Sequence, residues 1–247
     1  RFVFGRYSAC LVFVGVPLPL RLIVHVAFGI VVLGLLLWRY QESLLYVPNV
    51  PNPQGGKIKT PEDNPVGMRS PTEQGLEFKD VWLKTSDGVT VHAWWLPMGG
   101  DRTAKAPTFM FSHENAGNIG LRLHEYKMLH TRVGCNILAY DYRGYGYSDQ
   151  AVIDEDGLMK DARAAWAWLE AEAQRRAIHH HRVFLFGRSL GGAVTIQLAA
   201  ELCGNMNAGA LAPNALRPAG VMISNTFTSI EDMVGAVYPW LDWAFVR

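Results

Sequence analysis

The pentapeptide Gly187-Arg188-Ser189-Leu190-Gly191 constrains this chain more than any other feature, because of what flanks it. Residues 182–186 before it form a short apolar run of strand length. The residues from Leu190 to about Cys203 carry a helix-like pattern. A serine between strand and helix, with glycines two positions to either side, reads as a sharp turn that lifts its hydroxyl clear of a sheet. Gly187 and Gly191 have no Cβ to collide with that turn. A helix starting at Leu190 aims its free N–H groups and positive end at the space above the serine. Ser189 is thus the candidate nucleophile, and the Leu190 amide is the first candidate donor to a developing oxyanion.

The neighbouring sequence alternates in the same way. Residues 78–84 and 89–96 are β-rich and meet across Ser86-Asp87-Gly88, a hairpin signal. Further short apolar runs at 108–112, 136–140 and 220–224 are separated by helix-like stretches near 121–132 and 155–176. The second of these stretches places Ala162, Ala165, Trp166 and Leu169 on one face. This order implies an α/β fold, a mostly parallel sheet covered by helices on both faces, with ligands at the carboxyl ends of the strands. There, after residues 108–112, stands His113-Glu114-Asn115-Ala116-Gly117-Asn118. The Asn115 amide is best placed to be a second oxyanion donor, with His113 orienting the loop by hydrogen bonding.

Residues 22–38 are seventeen residues whose only polar member is His25. Trp38, Arg39 and Tyr40 follow as an interfacial belt. Residues 1–40 therefore read as a single-pass membrane anchor with a helix over about 22–38 and the lipid bilayer as partner. Pro17 and Pro19 fit the upstream run 7–20 to a re-entrant or interfacial stretch better than to a second helix. Residues 41–75, broken by Pro48, Pro51, Pro53, Pro61, Pro65 and Pro71, read as a connector. Residues 76–247 read as the α/β domain, incomplete at its C-terminus, since the chain opens on Arg1 and stops within an apolar segment. A net charge of +1 gives no electrostatic case for nucleic acid. Cys10, Cys135 and Cys203 share no metal or disulfide spacing, and His179-His180-His181 cannot all face one ion, so no metal or cofactor is expected.

These motifs together resemble the BEM-like branch of membrane-anchored serine hydrolases of the α/β-hydrolase fold, related to protein depalmitoylases and to serine aminopeptidase-like domains. The matching pieces are Leu44-Leu45-Tyr46-Val47-Pro48, residues 113–118, Asp141-Tyr142-Arg143-Gly144-Tyr145-Gly146, residues 187–192 and Asn225-Thr226-Phe227, in the family's order. The resemblance implies a structural role for the loop at Asp141. It also implies a substrate that is a small acyl ester or an acylated protein, such as a palmitoyl-protein thioester. Glu114 stands where the family usually has glycine. Aimed inward, its carboxylate would crowd the acyl group or repel the developing charge; aimed outward, it would do little.

A serine needs a histidine to take its proton and an acid to orient that histidine. All eight histidines precede Ser189, and Glu201, Glu231, Asp232 and Asp242 are the acids that follow it. The resemblance places the missing acid and histidine beyond Arg247, which would leave the fragment itself inactive. The alternative to a hydrolase is a non-catalytic binding or scaffold protein on the same fold. An aminopeptidase would need a pocket for a free amine that no motif supplies.

Overall fold

The computed structural model describes residues 18–207 and 216–226. The chain divides into two compact units, Arg1–Leu45 and Tyr46–Arg247. In the first, α1 (Leu18–Leu45) is a single helix of 28 residues. Its segment Pro19–Tyr40 has a mean hydropathy of 2.5 and is not buried. Those 22 residues rise about 33 Å, the thickness of a hydrocarbon layer. His25 meets its polar requirement locally, its Nδ1 lying 2.6 Å from the Arg21 carbonyl. The helix overruns the expected 22–38 at both ends. Pro19 sits in the first turn, where no N–H is needed, and no proline interrupts the chain again before Pro48. Of the stretch read as re-entrant, residues 18–20 are helical; the remainder, with Cys10, lies outside the described residues.

The second unit is built on a six-stranded sheet of β3 (Lys79–Lys84), β4 (Thr90–Leu96), β5 (Thr108–Ser112), β6 (Asn136–Tyr140), β7 (Val183–Arg188) and β8 (Pro218–Ser224). They are ordered β3-β4-β6-β5-β7-β8. The β3–β4 hairpin and the β4–β6 pair are antiparallel, and the other pairs are parallel. Every residue of β5 and β6 is buried, which is why these strands read as continuous apolar runs rather than alternating ones. Phe109 stacks on Phe184 with centroids 5.3 Å apart, and Phe111 on Phe186 at 4.6 Å. Ile119, Leu123 and Tyr126 close over these rings. α3 (Glu155–Gln174) is capped by Asp154, whose carboxylate accepts the Gly157 N–H at 2.7 Å, and it buries Ala162, Ala165, Trp166 and Leu169 as its spacing requires. It packs on α4 (Leu190–Asn207), which follows β7 directly.

Two stretches differ from their sequence reading. Residues 121–132 are not one helix. A 3-10 turn Ile119–Arg122 leads into α2 (Leu123–Met128) and then a π turn Leu129–Val133, ended by Gly134 at φ 71°. Residues 41–75 are more than a connector. Those before Tyr46 continue α1, and the rest form a two-stranded ribbon, β1 (Val50–Pro51) with β2 (Lys57–Ile58), and 3-10 turns at Pro61–Asp63 and Pro71–Gln74. Prolines open both turns, where their fixed φ suits the first position. Tyr46, Ile58, Pro61, Asn64 and Pro71 are buried. Asn64 exchanges two amide hydrogen bonds with Asn118, at 2.8 and 3.0 Å, which fastens this stretch to the loop after β5.

Candidate active site

Ser189 occupies the turn between β7 and α4 with φ 51°, a left-handed conformation that costs a non-glycine residue about 1–2 kcal/mol. The turn is clamped from both sides. The Ser189 N–H donates to the Ser224 carbonyl at 3.0 Å, and the Ser189 carbonyl accepts from the Thr226 hydroxyl and the Gly192 N–H, both at 2.9 Å. The flanking glycines are required by space as much as by conformation. A Cβ on Gly187 would strike the Gly191 carbonyl and Thr195. One on Gly191 would strike the carbonyls of Ser112 and His113, and one on Gly192 would strike Thr226. Ser189 itself is half-buried rather than sealed. Leu190 is the first residue of α4, so its N–H has no acceptor within the helix.

The close approach of Gly191 to Ser112 and His113 brings the loop after β5 alongside the elbow, because β5 and β7 are adjacent and parallel with Ser112 opposite Gly187. Asn115 lies in that loop, half-exposed. Its side-chain oxygen accepts from the Val47 N–H at 3.1 Å and from the Tyr145 hydroxyl at 2.8 Å. Arg122 ties down the loop from behind, donating to the carbonyls of Ala116 at 2.6 Å and Asn118 at 3.2 Å. Its Nε is 3.0 Å from the Glu114 carboxylate. The residue that departs from the family's glycine is thus paired with a guanidinium of its own loop.

His113 is fully buried, with Nδ1 2.7 Å from the Glu114 carbonyl and Nε2 3.6 Å from Asp141 Oδ1. Burial, reinforced by the Arg122 charge, lowers its pKa to about 3, so the ring is neutral at physiological pH. The Tyr142 hydroxyl donates to its carbonyl at 2.9 Å. Nδ1 is thus the ring nitrogen that bonds within the loop, while the buried Nε2 lies near Asp141 without a hydrogen bond among the described residues. Asp141 is also fully buried, and it accepts the Ile119 N–H at 2.9 Å. Burial raises its pKa. His92 completes the group, its Nε2 2.7 Å from Asp80 and its Nδ1 4.0 Å from Asp141. Burial pulls the His92 imidazole down, but the Asp141 and Asp80 carboxylates outweigh it and the pKa is raised.

Chemically, the arrangement offers a hydroxyl on a strained turn, a helix N-terminus next to it, and a braced loop on the adjoining strand end. Ser189, Leu190, Gly187, Gly191, His113 and Asn115 are therefore gathered at one end of the sheet. Sequence reasoning missed Arg122, Thr226 and Tyr145. Arg122 and Tyr145 stand within or beside motifs already noted, yet nothing in their spacing reveals that they brace the loop after β5. Glu231, Asp232 and Asp242 lie outside the described residues, as does Phe227 of the Asn225-Thr226-Phe227 motif.

A family model described as serine aminopeptidase, S33, matches residues 121–244. The alpha/beta hydrolase domain-containing protein WAV2 of Arabidopsis thaliana is 38% identical over 216 residues, 87% of this chain and 61% of that protein. Protein bem46 of Schizosaccharomyces pombe is 31% identical over 214 residues, 87% of this chain and 62% of that one. The chain thus spans about three fifths of the length of these curated relatives. Among solved structures, the Pyrococcus furiosus esterase Pf2001 has a TM-score of 0.50 at 23% identity, covering 75% of this chain and 64% of that one. That is a likeness of fold.

Proposed function

Because the chain belongs to the serine aminopeptidase S33 family of α/β-hydrolases, we propose that it carries the nucleophile and oxyanion hole of a membrane-anchored serine hydrolase acting on esters or thioesters. The observation that carries this reading is the strained φ of 51° at Ser189, held at the N-terminus of α4 by backbone bonds on both sides. Strain in a polar residue at a strand-to-helix turn persists where it places a reactive group. The Ser189 hydroxyl would attack the acyl carbonyl and release the alcohol or thiol. The oxyanion would rest between the Leu190 and Asn115 amides, and water would then hydrolyse the acyl-enzyme.

His113 does not take the Ser189 proton in this reading, since its ring is fully buried and its Nδ1 is engaged by the Glu114 carbonyl. Triad order in this fold places the acid and then the histidine after the serine, and no histidine stands between Ser189 and Arg247. Residues 1–247 alone would then retain only the roughly 10³–10⁴-fold residual catalysis of binding and oxyanion stabilisation. Helix α1 supports single-pass membrane anchorage, which fits an acyl chain drawn from a lipidated protein, with palmitoyl thioesters as the proposed substrate. A non-catalytic scaffold on the same fold rests on Glu114 and on the missing base, and the pairing of Glu114 with Arg122 favours the hydrolase reading over it.

The test is labelling of the full-length protein with a fluorophosphonate probe. Ser189 reacts and Ser189→Ala does not; equal labelling of the alanine variant would mean the nucleophile is misassigned.

A further inference from the structure

The Asn115 amide can stabilise an oxyanion only if the loop that carries it is fixed, and this loop is fixed by the first residues to leave the anchor helix. α1 ends at Leu45, Tyr46 is buried, and Val47 forms a parallel bridge to Ala116. Three bonds tie the segment and Tyr145 to this loop. The Val47 N–H donates to Asn115 Oδ1 at 3.1 Å, the Gly117 N–H donates to the Val47 carbonyl at 3.2 Å, and the Tyr145 hydroxyl donates to the same Asn115 Oδ1 at 2.8 Å. The local sequence explains the geometry. Pro48 disfavours the helical region for Val47 and pushes it to an extended backbone, the conformation a bridge requires. The Asn115 side chain then has both lone-pair directions of its carbonyl oxygen filled, which fixes the residue within the loop beside the elbow. Burial holds the Tyr145 phenol above its ordinary pKa, so its O–H remains a donor at neutral pH.

We propose that Val47 and Tyr145 are positioning residues for the oxyanion loop, acting through the Asn115 side chain, so that the segment emerging from the anchor helix is a working part of the active site. This rests on the assignment of Ser189 as nucleophile and Asn115 as oxyanion donor. The consequence is specific. Losing an oxyanion donor lowers kcat about 10²–10³-fold with little change in ground-state binding, and loosening one costs a fraction of that. The loop has independent supports in Arg122 and Asn64, so the fold tolerates the change.

The experiment uses the full-length protein in detergent with a short-chain p-nitrophenyl ester. Val47→Pro removes the N–H, and Tyr145→Phe removes the hydroxyl. Each is made alone and in an Asn115→Ala background. The expected result is kcat lowered about tenfold or more by either substitution, with KM and melting temperature unchanged and no further loss when it is added to Asn115→Ala. Tyr145→Phe keeps the aromatic packing and so stands if Val47→Pro does not fold. An unchanged kcat for Tyr145→Phe, losses that add in the double variants, or a fall in kcat that tracks a fall in melting temperature would each overturn the inference. Fluorophosphonate labelling of the unsubstituted protein separates the two levels. Absent labelling at Ser189 sinks the nucleophile assignment and this inference with it, whereas normal labelling with unchanged kcat sinks the inference alone.

Discussion

Two neighbouring loops at the carboxyl end of the sheet are held in opposite ways. The elbow after β7 is held by the exclusion of side chains, since its glycines lie against backbone and one strained serine is clamped by carbonyl and amide partners. The loop after β6 is held by buried charge. Arg143 lies between Asp87 and Asp161, donating to the buried Asp161 through its backbone N–H at 2.8 Å, Nε at 3.0 Å and Nη2 at 2.9 Å. Asp141 sits two positions earlier among His113 and His92. The first loop presents a group to solvent at the expense of local strain. The second presents nothing and fixes the framework. Ionisable residues in a cleft invite a catalytic reading, but here the buried charges brace and the strained neutral hydroxyl is the reactive candidate.

The largest effects separate these roles. In the full-length protein, Ser189→Gly should lower ester turnover at least about 10³-fold while raising stability by about 1 kcal/mol, because glycine relieves the left-handed φ. Thermal melting beside a turnover assay checks both signs, and a drop in stability would break the contrast. Asp161→Ala should do the reverse. It leaves the Arg143 guanidinium partly buried and short of a partner, for a loss of about 3–5 kcal/mol by denaturant unfolding, with residual turnover in whatever fraction remains folded. A loss below about 1 kcal/mol would place the pair with surface ion pairs instead. Gly191→Ala should destabilise by about 1–3 kcal/mol through its collision with the Ser112 and His113 carbonyls, and should lower turnover with it. The smallest effect is a pH dependence at His92, which faces Asp80, Asp141, Trp82, Trp94 and Tyr147. Its pKa is raised in the folded state, so the stabilisation is fully present below the unfolded value of about 6.5 and is lost as pH rises through the folded one. Melting temperature should fall across that window in the parent protein, and His92→Gln should flatten the curve.

The strands were legible in the sequence because burial on both faces turns them into continuous apolar runs, and 108–112 and 136–140 match β5 and β6 residue for residue. The elbow was legible because its glycines answer to a local backbone demand. The supports of the loop after β5 were not. Asn115 meets Val47 across 68 positions and Tyr145 across 30, and Asn64 meets Asn118 across 54. Such pairs follow no period. The prolines of 41–75 misled for a related reason. They do break helix and strand patterns, but they also open 3-10 turns whose side chains the domain buries. α1 ran past its expected ends because helix propagation continues until something stops it, and polarity alone does not.

The clamp on Ser189 has a consequence in time. The partners that close its turn, the Ser224 carbonyl and the Thr226 hydroxyl, are synthesised after it, the latter 37 positions further along the chain. During vectorial emergence from the ribosome, β7 and the start of α4 are available well before β8 can dock beside them. Until it does, only the Gly192 N–H holds the Ser189 carbonyl, and the bonds from Ser224 and Thr226 that complete the clamp are missing. The strained turn at Ser189 is therefore among the last features of this sheet to mature, and its geometry depends on strand β8 arriving beside it.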